Sequence, residues 1–236
     1  MQTPLQRVMA DPRRWRAGPR GLQLTSRGRP RMRPWRRSAT TARSADRSQA
    51  EELPSSDRVI LRNLSYADQE EFLAMVHASR DLHRPWAYPP HRPDQFNELV
   101  ARCTHDDSLC LLACERATGS IAGVFTVSQI VRGAFQSAFL GYYANAAFAG
   151  QGYMRAGIEL VLDLSFGALR LHRLEANIQP ANAASIALAR AAGFRLEGYS
   201  PRYLLIGGQW RDHERYALTA DERARATAAS EQPELS

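Results

Sequence analysis

Apolar positions along the chain recur in two rhythms, and the changes between them mark out the elements. RVILRNL (58–64) reads as a strand. YADQEEFLAMVHASR after it reads as a helix, with Phe72, Met75, Val76 and Ser79 spaced for one face. Asp68 near its start suits the positive end of a helix dipole. HRPWAYPPHRP (83–93) stops that helix, because its four prolines fix φ and remove backbone donors. A short second helix is expected at 93–103. SLCLLACE and SIAGVFTVSQI flank RATG as a hairpin, and SAFLGYYAN (137–145) adds a third strand.

The second half follows the same logic. Met154, Ile158, Val161, Ser165 and Leu169 keep helical spacing, which predicts a long helix from about Gly152 through residue 170. HRLEANIQ (172–179) returns to strand. In NAASIALARAAGF, Asn182 is a good N-cap, and Gly193 stands where a C′ glycine belongs, with Phe194 to pack back. FRLEGYSPRYLLIGGQWRDHERYAL predicts two antiparallel strands joined at Gly207-Gly208. The order β-α-α-β-β-β-α-β-α-β-β specifies an α/β domain with a mixed sheet, assigned to residues 55–222. The small, polar residues 223–236 are expected to form a disordered end.

Charge divides the chain differently. Residues 1–54 contain PRRWRAGPRG and RGRPRMRPWRR; repeated proline, glycine and like charge predict disorder there. The first fifty residues hold thirteen arginines against Asp11 and Asp46, a net of +11, which leaves about −4 for the rest of a chain whose total is +7. The remainder therefore shows no sign of a nucleic-acid face. Three readings of the tail stand side by side: a solvated extension or over-extended gene start without a role; an RNA-contacting arm in which arginines pair phosphates while Trp15 and Trp35 stack on bases; and a transit peptide, spoiled by its prolines.

Cys103, Cys110 and Cys114 are odd in number and lack a CxxC pair, so a disulfide framework or zinc site is not expected, nor any other metal. Apolar runs reach only about six or seven residues, well short of the roughly 20 of a membrane span. No signal-peptide core is visible, and a cytoplasmic protein without membrane contact is expected.

The candidate chemistry centres on AFAGQGYMRAG (147–157). A strand leading into a glycine turn and a helix presents orphan N–H groups and a positive dipole end, a ready place for phosphate. The spacing does not match G-x-x-x-x-G-K-[ST], and no third glycine completes G-x-G-x-x-G. Arg155, in the first turn, is poorly placed for the dipole and marks either a bound anion there or an ordinary solvated surface arginine.

The run from FAGQGYMRAG through LHRLEANIQPANAASIALARAAGFRLEGYSPRYLLIGGQWRDH resembles the GNAT acyltransferases. Within them it is most similar to the ribosomal-protein-alanine N-acetyltransferase (RimJ/RimL-like) group. The elements carrying the resemblance are G-x-G before a helix, L-H-R-L-E, P-x-N-x-x-S, G-F-x-x-E-G and Y-L-L-I-x-G-x-W-R-D-H. They extend it over about residues 57–220. The resemblance implies a GNAT fold, with a mixed, mostly antiparallel sheet splayed between two central strands and flanked by helices. It implies acetyl-CoA as co-substrate, its pantetheine pairing with Tyr142, Tyr143 and Ala144. The pyrophosphate would sit on Ala149, Gly150, Gln151, Gly152, Tyr153, Met154 and Arg155.

Two departures from the family pattern follow. Ala149 stands where the signature has Gln or Arg, and Met154 where it has Gly or Ala, so the cradle is expected to act mainly through backbone N–H groups. A bulky residue at Met154 suits the ribosomal subgroup. Ala189 stands where many relatives carry a tyrosine acid. The resemblance offers Asn182 and Ser185 instead: Asn182 for a pantetheine amide or simply as a helix cap, Ser185 to hydrogen-bond the departing sulfur. Among carboxylates Glu175 is the best candidate base, alternating with Asn177 and Gln179 onto one strand face, or else a strand-end surface charge. Glu197 and the Asp212–His213 pair are further candidates, or only hold the last hairpin.

A missing strong base is tolerable for one class of acceptor. An α-amine near pKa 7.7–8.0 is roughly a tenth to a fifth neutral at pH 7, whereas a lysine near 10.4 is about 0.04% neutral. The reading is an N-acetyltransferase acting directly on the N-terminal amine of a ribosomal protein, with Trp86 and Tyr88 in the acceptor-side wall, where they pack a short peptide or simply plug the core. A small-molecule amine or antibiotic is the alternative acceptor. A different-class alternative is a non-catalytic acyl-CoA binder tethered to RNA or ribosome by the tail.

Overall fold

The computed structural model describes residues 53–231. The arginine-rich segment, and the three readings attached to it, lie outside those residues.

Seven strands form one sheet in the order β1-β2-β3-β4-β5-β7-β6. They are β1 (Val59–Asn63), β2 (Ser108–Glu115), β3 (Ile121–Val131), β4 (Ser137–Ala144), β5 (Arg173–Ile178), β6 (Arg195–Ile206) and β7 (Gln209–Thr219). Every neighbouring pair is antiparallel except β4 and β5. A parallel pair needs a crossover, supplied by α4 (Tyr153–Phe166).

β2 is covered on both faces, which is why SLCLLACE reads as an unbroken apolar run rather than an alternating one. Leu111 and Ala113 of β2 join Phe125, Ile158, Val161 and Leu174 in one core. Cys110, Leu112 and Cys114 turn the other way, to Phe72, Met75, Phe96 and Leu99 of α1 (Gln69–Ala78) and α3 (Pro93–Arg102). The predicted face of α1 is realised: Phe72, Met75, Val76 and Ser79 are all buried. Each fully buried aliphatic or aromatic side chain of this kind contributes about 1.5–3 kcal/mol. The three cysteines are free thiols.

Gly157 lets α4 press against the sheet. A Cβ at this position would lie 2.7 Å from Phe125 Cε2 and 3.1 Å from the Ala113 Cβ. That tight seat holds the first turns of α4 against β2 and β3. The two glycines of the β6–β7 turn have φ of 59° and 79°, the left-handed pair a two-residue hairpin turn requires.

Three boundaries differ from the sequence reading. The helix expected over 66–80 is a 3₁₀ turn (Tyr66–Asp68), then α1, then a separate α2 (Arg80–His83), with Ser79 between them. The helix expected to reach 170 ends at Phe166, where Gly167 caps it. The end expected to be disordered from 223 continues instead as α6 (Ala220–Glu231). Thr219 and Glu222 form a reciprocal N-terminal cap: Glu222 Oε2 accepts from the Thr219 N–H at 2.8 Å, and Thr219 Oγ1 from the Glu222 N–H at 3.3 Å. Arg223 then pairs with Glu159 at 2.5 Å and Asp163 at 3.0 Å on α4. Among the described residues no helix is long and apolar enough to cross a membrane.

Candidate active site

The site begins where the sheet fails to close. β4 and β5 pair only from Ser137↔Arg173 to Phe139↔Glu175, and then diverge. On its other edge β4 stays paired with β3 up to Ala144. Asn145 N–H bonds Ala122 O on that side, so by alternation Tyr142 and Ala144 turn their N–H and C=O groups into the gap. The gap is thus an internal strand edge facing α5 (Ala183–Ala191), suited to an extended amide-bearing chain.

At the outer end of β4 a 3₁₀ turn (Ala146–Phe148) leads into the glycine loop. Ala146 N–H bonds Ser79 Oγ at 2.9 Å, and Asn145 Oδ1 accepts from Ala147 N–H at 3.0 Å, so the loop is anchored at its entry. Gly150 and Gly152 have φ of 72° and 86°, which an L side chain rarely adopts. A Cβ on Gly150 would meet nothing within 4 Å, so this glycine serves conformation and leaves the loop open. The first bond into α4 is Ala156 N–H to Gly152 O, which leaves the N–H groups of residues 153–155 at the helix mouth.

Ala149, Gly150, Gly152, Met154 and Arg155 line a cleft of about 370 Å³ together with Tyr142, Tyr143, Ala144, Trp86, Asn182 and Ser185. Two predicted cradle residues turn their side chains elsewhere. Gln151 Nε2 donates back to Ala147 O at 2.8 Å. The Tyr153 phenol bonds Glu115, with Arg58 over its ring at 4.6 Å. Met154 is accommodated by Gly123, where a Cβ would lie 2.2 Å from the Met154 sulfur. Arg155 is held by Glu159 at 3.0 Å one turn along α4.

Asn182 and Ser185 stand at the start of α5, on the far wall. Asn182 Oδ1 caps the helix by accepting from Ser185 N–H at 3.2 Å, and the residue lines the cleft as well, so the two readings of it coincide. The Ser185 carbonyl accepts from the Tyr142 phenol at 2.9 Å. The Ser185 hydroxyl has no partner among the described residues. Ala189 is fully buried in the core and does not line the cleft. Burial pushes the phenols of Tyr142 and Tyr143 up, so neither ionises near neutral pH.

His83, Phe148, Leu82, Leu188, Ala87 and Ala184 complete the walls and are the residues the sequence reading missed. His83 is buried at 4% exposure, and its Nε2 bonds the Ala144 carbonyl at 2.7 Å. A carbonyl only accepts, so Nε2 carries the proton and the neutral ring keeps its lone pair on Nδ1, which is buried without a partner. Burial holds the ring below its ordinary pKa of 6.5 despite that bond. Its signal lay in HRPWAYPPHRP, where a histidine opens the proline stretch that packs beside the cleft.

The structure does not bring Glu175 to this place. It pairs with Phe139 at the closed end of the splay, and its carboxylate is held by Arg173 at 2.8 Å. Glu197 belongs to the same surface chain, bound to Arg173 and to Arg195. Asp212 accepts from the Tyr199 phenol and from the Arg202 N–H, so it fastens the last hairpin. His213 is buried, with Nδ1 3.0 Å from Arg211 O.

Trp86 and Tyr88 separate. Trp86 lines the cleft, its carbonyl accepting from Gln179 Nε2 at 3.0 Å across from β5. Tyr88 lines a second cavity of about 190 Å³, which shares His83 and Ala87 with the cleft.

An internal strand edge beside a glycine turn and a helix mouth offers backbone partners to an extended amide and free N–H groups to an anion. The sequence pattern of the acetyltransferase (GNAT) domain matches residues 58–195. The chain is 31% identical over 170 residues to the probable N-acetyltransferase YjcK of Bacillus subtilis, covering 68% of this chain and 93% of that one. It is 39% identical over 102 residues to the ribosomal protein uS5-alanine N-acetyltransferase of Escherichia coli, covering 43% and 53%. Among solved structures it is similar to Mycobacterium smegmatis RimJ in complex with CoA-disulfide, with a TM-score of 0.65 at 30% identity over 73% of this chain and 89% of that one. The chain belongs to the GNAT acetyltransferase family. It is an acyltransferase with acetyl-CoA as its co-substrate.

Proposed function

We propose that the acceptor is the N-terminal α-amine of a protein, and of a ribosomal protein in particular. One observation carries the choice of amine: among the described residues, no carboxylate lines either the cleft or the cavity beside it. A lysine or polyamine nitrogen would need a strong base, whereas an α-amine is already roughly a tenth to a fifth neutral at pH 7. The likeness to the uS5-alanine enzyme supports the ribosomal assignment.

In this reading the glycine loop, Arg155 and the helix mouth hold the diphosphate of acetyl-CoA, and the open backbone groups of Tyr142 with the N–H of Ala144, whose carbonyl His83 already engages, hold its pantetheine amides. The neutral amine attacks the thioester carbonyl carbon; the new C–N bond forms, the C–S bond breaks, and the amine proton leaves to water. Ser185 hydrogen-bonds the departing sulfur from across the cleft. Trp86 packs the first residue of the acceptor.

The test is mass spectrometry of ribosomal protein N-termini with and without this gene, joined to thiol release on matching N-terminal peptides. Loss of one N-terminal acetyl group in the deletion is expected. Turnover confined to polyamines or aminoglycosides would sink the proposal and favour the small-molecule reading.

A further inference from the structure

The cavity beside the cleft has a charge pattern that the acetyl-CoA site does not explain. Its walls carry Arg80 and Arg84 from α2 and the turn after it, and His77 and His91 from the flanking segments. No carboxylate lines it. Among the described residues neither arginine has an ion-pair partner, whereas Arg62 pairs with Asp68 and Arg92 with Asp94. Arg84 lies with its guanidinium over the Tyr88 ring at 5.1 Å, an aromatic seat that leaves the donor edge free. Tyr88 is itself held in place by the β6–β7 turn, since a Cβ on Gly207 would fall 2.5 Å from its ring.

His83 connects this cavity to the chemistry. It lines both cavities, it is 4% exposed, and its Nδ1 is buried without a partner. A group bound between the arginines is therefore one side chain away from the cleft where the acetyl group is presented.

We propose that this cavity is an anion-recognition subsite for the acceptor, so that the enzyme selects amines carrying a carboxylate a few bonds away: for a protein N-terminus, an Asp or Glu within the first few residues. Guanidinium groups match a carboxylate with paired, charge-assisted N–H bonds. The same pair repels an ammonium, so a polyamine chain is rejected by the wall that draws in an acidic peptide. This rests on the N-terminal reading for the identity of the acceptor, but the charge preference itself does not.

The experiment compares kcat/KM across a panel at fixed saturating acetyl-CoA. The panel holds alanine-first peptides with Asp or Glu, Asn or Gln, or Lys at positions two to four, small primary amines with and without a carboxylate, and spermidine. Acidic peptides should exceed their amide counterparts about five- to tenfold, the size expected of one well-placed charge pair. The double variant Arg80→Gln/Arg84→Gln should shrink that ratio to near one while the KM for acetyl-CoA stays put. Equal use of acidic and amide peptides by the natural protein, or an acidic preference that survives in the double variant, overturns the subsite and leaves the N-terminal reading intact. A carboxylate preference seen only among small amines, with no peptide acetylated, supports the subsite and overturns the N-terminal reading. Preference for spermidine overturns both.

Discussion

The phenol of Tyr142 donates to the backbone carbonyl of Ser185 at 2.9 Å, joining β4 to the first turn of α5 across the open splay. This bond ties the two walls of the cleft together. Tyr142→Phe should cost about 1 kcal/mol, the typical net value of one such bond. It should also raise the KM for acetyl-CoA, because α5 is freed to drift. Urea unfolding and steady-state kinetics measure the two effects, and an unchanged KM would show that α5 is held by packing alone.

The hydroxyls of Ser185 and Tyr143 should behave in opposite ways. Ser185 lines the cleft with a free hydroxyl, so Ser185→Ala should lower kcat at least about tenfold, within reach of the usual range for a proton-handling group, while acetyl-CoA affinity changes little. Tyr143 buries its hydroxyl without a partner, so Tyr143→Phe should leave stability equal or improved. Calorimetric binding beside stopped-time thiol release separates these effects. A normal kcat for the serine variant removes Ser185 from the chemistry.

Acid should weaken the fold through buried histidines. His83 and His213 both titrate below 6.5 in the folded protein because burial disfavours their charged forms. Below pH 6.5 the unfolded chain therefore binds more protons than the folded one, and stability falls as pH drops through that range. His83→Gln keeps a donor for the Ala144 carbonyl and removes the titration. Its denaturation midpoint should fall less steeply between pH 6.5 and 5 than that of the natural protein. Parallel curves would assign the acid sensitivity elsewhere.

The cradle should fail through its backbone. Gly152 holds φ at 86° as the residue before α4, so Gly152→Ala should cost about 1 kcal/mol and tilt the helix mouth. Gly123→Val acts from the other side, driving the Met154 thioether out of its seat and into the cleft. Both should raise the KM for acetyl-CoA several-fold with smaller changes in kcat. A kcat defect with normal KM would place the damage in the acceptor half.

Most of this architecture was legible because local chemistry and tertiary need agree. Asn182, Gly193 and the Gly207-Gly208 pair announce two helix ends and a hairpin, and the structure uses each as announced. The late helix α6 was misread because it has no apolar stripe. Its signature was the Thr219–Glu222 cap, and its anchor is Arg223 on α4, a contact that no spacing reveals. The choice between the two readings of Glu175 was hidden for a related reason. Alternation gave its face correctly, but only the registry with Phe139 shows that it sits at the closed end of the splay. His83 escaped notice because burial turns an ordinary-looking histidine into the wall between two cavities.

The splay leaves β4 unlike any other strand of the sheet. Gly141 and Tyr143 send their amides to β3, while Tyr142 and Ala144 send theirs into the gap. Adjacent amides of one strand are thus protected by different things: the first pair by the fold, the second by whatever occupies the cleft. Hydrogen exchange along these four residues would then show an every-other-residue pattern in the free protein. Binding of coenzyme A would erase it, so that the ligand stands in for the missing strand.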